Sequence, residues 1–405
     1  MIYFINRFFA PDESATAQML TQLVAALSEQ NLPATVLTSR MRHDDPSVSL
    51  PRAERLHGAQ VHRLWSTRFG RAKLSGRALD YLSFYLSAWF AVWRLRRGDV
   101  LVALTDPPMI GNVLQALARL RGARVVHWLQ DVFPEVAQAL LPLARKSRFA
   151  ALLLAWRNRS LRRADALVVL GSRMAEHVQA CGVLPERVHQ IANWADERVL
   201  SPLPREENPL RKEWGLEANF VVGYSGNLGR AHEFETLVQA MLATTDIAHL
   251  RFLFIGQGAQ WAALQARVRE FGLSERVMFR GFQPSSMLRF SLSVPDVHVV
   301  TLQAELEGLI VPSKLYGAMA VGRPIAFIGD ADGEVARTLR AHGCGTSVQV
   351  NQVQALADAF RRYASEPEAL LREGQSAYAA FTQGFSCKLA VARWSALLRT
   401  LQDVR

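Results

Sequence analysis

Apolar residues recur along the chain with two different periods. Short β-branched runs (Ile2–Ile5, Ala34–Thr38, Val100–Thr105, Arg124–Gln130, Ala166–Leu170 and Val188–Ala192) read as buried strands. Between them, Ala17–Gln30 (AQMLTQLVAALSEQ) sets its apolar side chains three and four apart, as an amphipathic helix does. Gly111–Leu120 and Arg173–Ala180 read the same way, the last with Ser172 as its expected N-cap. A second series of strands is expected at Phe220–Tyr224, Arg251–Ile255, Arg276–Arg280, Asp296–Leu302, Pro324–Ile328 and Thr346–Val350. Strand–helix alternation at this spacing predicts an α/β chain of parallel, doubly wound sheets with helices on both faces.

Between the two series lies SPLPREENP, residues 201–209, with three prolines and three charges, the composition of a linker. The expected organisation is a first Rossmann-like domain at 1–200, a linker at 201–209 and a second Rossmann-like domain at 210–384. A C-terminal helix at about 385–405 is expected to pack back on the first domain. A chain of 405 residues fits two domains, and an apolar fraction of 50% excludes a disordered chain. The three cysteines (Cys181, Cys344, Cys387) form no disulfide framework or metal knuckle, and fit a reducing compartment. The start, MIYFINRFFAP, lacks the pattern of a signal peptide.

Charge divides the chain unevenly. Residues 1–200 carry 26 Lys and Arg against 16 Asp and Glu, so most of the net charge of +11 falls in the first half. Residues 63–97 hold eight basic side chains and one acid; residues 145–163 hold seven and none. Such patches meet an anionic partner, nucleic acid or an acidic membrane, or form a solvated arginine-rich face. The run Leu79–Trp93 (LDYLSFYLSAWFAVW), followed by Arg94, Arg96 and Arg97, is too short and interrupted to span a bilayer. It reads as an interfacial helix or as a core helix of an α/β domain.

In open parallel sheets ligands bind beyond the carboxyl ends of the strands, which directs attention to four loops. In VVGYSGNLGRAHEFETL, small residues let backbone N–H groups approach an anion, Arg230 adds charge, and a helix is expected from near Glu233. In LQAELEGLIVPSKLYGAMAVGRP, Pro312 and Ser313 look like a helix start with Lys314 in its first turn. A lysine there opposes the helix dipole unless a diphosphate compensates; a snorkelling surface lysine is the alternative. Glu305 and Glu307 are candidate acceptors for sugar or ribose hydroxyls. HWLQDVFPE offers Asp131 and Glu135 as candidate catalytic carboxylates, with Asp131 alternatively capping the following helix. FAPDESATA offers Ser14 and Thr16, and TDPP offers Asp106, as acceptor-side candidates. The ten histidines show no metal-ligand spacing; His127, His232 and His298 read as packing or hydrogen-bonding residues.

Taken in order, GYSGNLGR, FIGQGAQ, EGLIVPSKLYGAMAVGRPI and DGEVARTL resemble the nucleotide-sugar half of retaining glycosyltransferases of the GT-B fold, family 4. FFAPDESATAQMLTQLVAALSEQ, LTDPPM, LQDVFPE and IANWAD resemble the acceptor half. The subgroup most resembled builds bacterial O-antigen, capsule and exopolysaccharide units and includes N-acetyl-fucosaminyl transferases. The resemblance implies two Rossmann-like domains facing across a cleft. It implies a nucleoside-diphosphate sugar as donor, UDP favoured, and a polyisoprenyl-diphosphate-linked saccharide as acceptor. Front-face displacement is implied, the leaving phosphate receiving the acceptor's proton, without a metal or other cofactor. An anionic membrane surface would be the docking partner, with no nucleic acid, and the location cytoplasmic and peripheral to the inner face of the membrane. Donor-binding positions carried over are Gly226, Asn227, Gly229, Arg230, His232, Gly256, Glu307, Ser313, Lys314 and Leu315. The chain departs from the pattern: Asn227 and His232 stand where the family has Arg and Lys, and Leu309 and Gly317 where it has the two Glu of E-x7-E. The expectation is that Arg230 and Lys314 supply the positive charge, with Glu307 or Glu334 taking the hydroxyl contacts. A nucleotide-sugar 2-epimerase of the same fold and a basic nucleic-acid-binding protein are the alternatives.

Overall fold

The computed structural model describes all residues except 43, 44, 46, 71–73, 141–147 and 404–405; the side chains of residues 74 and 149 are also left aside. The chain forms two compact units, Met1–Ala192 with Ala390–Arg405, and Asn193–Leu389.

The first unit runs β1 (Ile2–Ile5), α1 (Ala15–Glu29), β2 (Ala34–Ser39), β3 (Ala53–Leu56), β4 (Ala59–Leu64), α2 (Leu74–Val92) and β5 (Val100–Ala103). It continues through α3 (Ile110–Leu120), β6 (Arg124–Trp128), α4 (Glu135–Leu140), α5 (Arg148–Arg163), β7 (Ala166–Val169), α6 (Ser172–Ala180) and β8 (Val188–Gln190). The strand order is β3-β4-β2-β1-β5-β6-β7-β8. The order reverses between β1 and β5, so the loops after these strands meet at the switch point, where doubly wound sheets bind ligands. The hairpin β3–β4 is absent from the sequence reading. β4 alternates buried and exposed positions, but one of the buried ones is the charged Arg63, and β3 has no buried position, so neither reads as an apolar run. The two-residue turn that closes it, His57 at φ 50° and Gly58 at φ 77°, pairs Leu56 with Ala59 and makes β3 an antiparallel edge. Ser172 is the first residue of α6 and Gly171 the cap, one position earlier than expected.

The second unit runs α7 (Pro209–Glu213), β9 (Phe220–Asn227), α8 (Glu235–Ala243), β10 (Leu250–Gln257), α9 (Trp261–Glu270), β11 (Val277–Arg280), α10 (Leu288–Ser293) and β12 (Val297–Thr301). Then follow α11 (Lys314–Ala320), β13 (Ile325–Ile328), α12 (Glu334–His342), β14 (Gly345–Val348), α13 (Val353–Ser365), α14 (Pro367–Ala380) and α15 (Cys387–Asp403). The order β11-β10-β9-β12-β13-β14 is parallel throughout the described pairs and reverses between β9 and β12. From Ala390 onward α15 belongs to the first unit, where Trp394 packs against Trp128 with ring centroids 4.7 Å apart and against Phe4 at 6.4 Å.

The proline-rich stretch 201–209 is not a free linker. It lies inside the second unit, where Arg289 donates to the carbonyls of Ser201 and Pro202 and Arg323 to that of Leu203. Proline removes backbone donors but leaves the carbonyls, and two arginines satisfy them. The boundary between units therefore falls at Ala192/Asn193, before the proline run.

The run Leu79–Trp93 lies on α2 and the residue after it, and the two faces of the helix differ in burial. Asp80, Phe84, Ala88 and Val92, spaced four apart, are fully buried, while Leu79, Leu82, Leu86, Trp89 and Phe90, with Trp93 just beyond the helix, are exposed. No described helix is long and apolar enough to cross a membrane. Asp80 ties the helix down: its carboxylate accepts from Thr67 Oγ1 at 2.8 Å and from the N–H groups of Phe69 and Gly70 at 3.0 Å. It also pairs with buried Arg7 at 3.4 Å. Not all the basic excess is surface: Arg63 is buried on Glu54 and the Ala10 carbonyl, and Arg157 on Glu135. Within the same two stretches, residues 71, 73, 145 and 146 lie outside the described residues.

Candidate functional site

In the second unit the loops after β9 and β12 converge at the sheet's switch point. Gly226 and Gly256 pair across β9 and β10, and both have positive φ, 125° and 139°. A Cβ on Gly256 would lie 2.1 Å from the Gly226 carbonyl oxygen, so the strand ends can cross only as glycines. A Cβ on Gly226 would lie 2.9 Å from Lys314 Cε: the lysine stem runs directly over this backbone.

Lys314, first residue of the seven-residue α11, has its Nζ 3.0 Å from His232 Nε2 and 5.2 Å from the centre of the Tyr224 ring. His232 Nδ1 lies 2.7 Å from the Thr301 carbonyl oxygen. A carbonyl only accepts, so Nδ1 carries the proton and Nε2 accepts from the lysine. Burial, with Lys314 next in weight, pushes His232 down to about 3, so the imidazole is neutral and the lysine is the cation. Burial lowers Lys314 itself to about 8. The site thus holds one partly desolvated positive charge, oriented by a neutral histidine that β12 fixes in its tautomer.

The remaining donor-side residues divide. Asn227 and Arg230 are exposed on the same loop, which Gln260 clamps through the carbonyls of Gly229 and His232 and Gln303 through that of Arg230. α8 starts at Glu235, two residues later than expected, because the Glu233 carboxylate accepts from the Thr236 N–H at 2.9 Å and caps it. Ser313 is exposed at the start of α11 and makes no side-chain cap. Leu315 does not join the site: its side chain is buried and its N–H donates to the Pro312 carbonyl at 3.3 Å. Glu307 is committed elsewhere, its Oε1 accepting from the N–H groups of Glu334 at 2.9 Å and Gly308 at 3.2 Å. Through that one oxygen it caps α12. Tyr224, Gln260, Thr301 and Gln303 were missed by the sequence reading; only the aromatic at a strand end preceding Ser-Gly signals one of them.

In the first unit, Asp131 follows β6 and Asp106 follows β5. Burial, then the Asp106 carboxylate, push Asp131 up to about 7. Beside Asp131 lies a cavity of about 20 Å³ lined also by Thr105, Asn112, His127 and Arg157, room for a water and far too little for a sugar. Glu135 opens α4 and is ion-paired: its Oε1 bonds Arg157 Nη2 and lies 3.2 Å from His177 Nε2. Ser14 caps α1 by backbone position without a side-chain bond, and Thr16 Oγ1 receives a long contact from Asn6 Nδ2 at 3.5 Å. The Asp106 carbonyl accepts from the Arg7 N–H at 2.7 Å, and the Tyr85 hydroxyl of α2 donates to the Pro108 carbonyl, so α2 packs directly on the acceptor-side loops. His298 Nε2 donates to the Leu292 carbonyl, 2.8 Å away, and the ring is buried. Among the described residues one trio, Glu135, His177 and Cys181, has ligand atoms all within 4.8 Å of one another. The guanidinium of Arg157 already sits on that carboxylate, and a divalent ion would have to bind beside it.

Two Rossmann-like units, each with a polar constellation at its switch point, make up the GT-B fold. Residues 14–194 match the glycosyl transferase 4-like domain and residues 206–380 match glycosyl transferases group 1, and the chain is an enzyme of that kind. It is 27% identical over 361 residues to "Probable glycosyltransferase WbjE" of Pseudomonas aeruginosa, covering 88% of this chain and 87% of that one. It is 26% identical to "Putative colanic acid biosynthesis glycosyl transferase WcaI" of Escherichia coli K12, covering 89% and 91%. Among solved structures, Anabaena HepE in complex with UDP superposes with a TM-score of 0.75 at 16% identity, over 98% of this chain and 99% of that one.

Proposed function

We propose that the protein transfers a sugar, with retention of configuration, from a UDP-sugar to a polyisoprenyl-diphosphate-linked saccharide during bacterial surface polysaccharide synthesis. The observation that carries this reading is the Lys314–His232–Gly226 arrangement: a desolvated cation laid over a glycine backbone at the end of β9. Lys314 and Arg230 meet the diphosphate charge, which grows on the leaving phosphate as the glycosidic bond breaks. Asp131, in its ionised form, orients the acceptor hydroxyl by accepting its hydrogen bond. The leaving phosphate then takes the acceptor's proton, and no covalent sugar–enzyme intermediate is required.

Support for UDP is that HepE, similar in fold, binds it. Support for a polysaccharide product is that WcaI is described as a colanic acid enzyme. Support for a lipid-borne acceptor is the outer face of α2, flanked by exposed Arg77, Arg94, Arg96 and Arg97. Arginines would meet nucleic-acid phosphates equally well, but six exposed large apolar side chains favour acyl chains and headgroups. The enzyme is read as peripheral to the cytoplasmic membrane face.

The test is transfer from a panel of UDP- and GDP-sugars to a polyprenyl-diphosphate-linked sugar in anionic vesicles, with the product's anomeric configuration read by NMR. A retained linkage from a UDP-sugar is expected. An inverted product overturns the mechanism, and transfer from GDP-sugars alone overturns the donor.

A further inference from the structure

Away from the two constellations, α6 ends in a thiol set among positive groups. Cys181 follows the helix one turn after His177, whose ring is within hydrogen-bonding reach of the thiol and whose Nε2 lies 3.2 Å from Glu135 Oε1. Two arginines come from α5. Arg157 is 3% exposed; its Nη2 bonds Glu135, while its Nε and Nη1 are buried with no hydrogen-bond partner among the described residues. Arg162 is exposed and donates from Nη1 to the Cys181 carbonyl oxygen at 2.9 Å.

The local charge decides what this pocket takes. Setting His177 aside, two guanidinium groups against one carboxylate leave one positive charge uncompensated. A thiolate on Cys181 neutralises it, whereas a divalent cation on the same atoms would deepen the excess. The environment is that of an activated cysteine rather than of a metal centre. Exposure separates the cysteines further: Cys181 is half-buried and reachable, while Cys344 and Cys387 are buried.

We propose that Cys181 is a reactive thiolate and the site at which a hydroperoxide oxidises this protein. Its sulfur attacks one peroxide oxygen; the S–O bond forms as the O–O bond breaks. The departing hydroxide or alkoxide takes a proton from solvent, the sulfur gives up two electrons, and the peroxide accepts them. The product is a sulfenic acid, reversible by thiols. This chemistry is independent of sugar transfer and is tested without it.

The experiment is alkylation of the folded full chain by iodoacetamide across pH 6 to 10, read by peptide mass spectrometry, with Cys344 and Cys387 as internal references. Cys181 is expected to react at least about tenfold faster than either at pH 7, with its half-maximal rate below the ordinary thiol value of about 8.5. Hydrogen peroxide followed by dimedone is expected to leave the adduct on Cys181. In His177→Gln, a substitution at a part-exposed position, the half-maximal pH moves up toward the ordinary value. A Cys181 that titrates as a free thiol, or that labels no faster than the buried pair, overturns the proposal. So does a dimedone adduct found on another cysteine.

Discussion

Replacing Lys314 by Ala removes the partly desolvated cation beside Gly226 and leaves His232 neutral, held by the Thr301 carbonyl. A lysine bonded to a diphosphate oxygen makes a charge-assisted hydrogen bond of about 1.5–3 kcal/mol, so UDP affinity at pH 7 should fall roughly 10- to 150-fold. The pH dependence is a sharper test. With the free-state value lowered to about 8, the lysine is about 90% charged at pH 7 and about 10% at pH 9. Because a bound diphosphate raises that value, wild-type affinity should drop about tenfold between these pH values, with about half a proton taken up per UDP at pH 8. Groups facing the ammonium are His232 from the β9–α8 loop and Tyr224 of β9, whose phenol burial raises further above its ordinary range; neither titrates across this window. Calorimetry in two buffers of different ionisation enthalpy reads both the affinity and the proton uptake. The stability sign runs opposite to an ordinary stabilising lysine. Between about 8 and the usual 10.5, the unfolded chain holds a proton the folded chain lacks, so unliganded stability rises with pH there, a rise that Lys314→Ala loses. UDP affinity flat from pH 7 to 9, or a Lys314→Ala variant within threefold of wild type, refutes the reasoning.

Gly256→Ala should unfold or misalign the donor loops, since its Cβ meets the Gly226 carbonyl at 2.1 Å on a left-handed backbone; a fall in Tm together with lost UDP binding by thermal shift checks it. Asp131, protonated below about 7, should give a rising limb of transfer rate centred near that pH, which Asp131→Asn abolishes. Its raised value also means the folded state binds the extra proton between about 4 and 7, so stability falls as pH rises through that window in wild type but not in Asp131→Asn, as denaturation midpoints would show. Leu82→Glu with Phe90→Glu, both exposed on α2, should cut flotation with anionic vesicles at least tenfold while leaving UDP affinity unchanged. Asp80→Ala strands the buried Arg7 charge and should cost about 3–5 kcal/mol in a urea titration.

The legible parts of the sequence were those where one physical rule acted alone. Buried parallel strands show as β-branched runs, and Pro312-Ser313 marked the start of α11. What failed did so where two rules competed. In the hairpin β3–β4, burial alternates along β4, but one buried position is Arg63, whose charge breaks the apolar period. The prolines at 201–209 carry a linker's composition, yet their carbonyls are bound by Arg289 and Arg323, partners about 90 and 120 residues away that no local pattern reveals. Glu307 has the chemistry of a hydroxyl acceptor, and no local pattern reveals that its Oε1 also caps α12. Leu315 matched a motif through its neighbours and not through any role of its own side chain.

The basic excess of the first half separates into two populations with different work. Arg7, Arg63 and Arg157 are buried on Asp80, Glu54 and Glu135, where each pair is costly to desolvate and serves to fix loops in place. The arginines beside α2, Arg77, Arg94, Arg96 and Arg97, are instead exposed. Asp80 joins the populations: by pairing with Arg7 and accepting from Thr67 and the turn at Phe69–Gly70, it holds the buried face of α2 against the loop after β1. The opposite face is thereby kept outward. A helix whose apolar residues run all round would ordinarily be buried all round; one buried carboxylate with a polar anchor on the domain side sets which face meets the core. The residue that breaks the run as a spanning segment is therefore also a residue that holds one face inward and leaves an apolar face exposed.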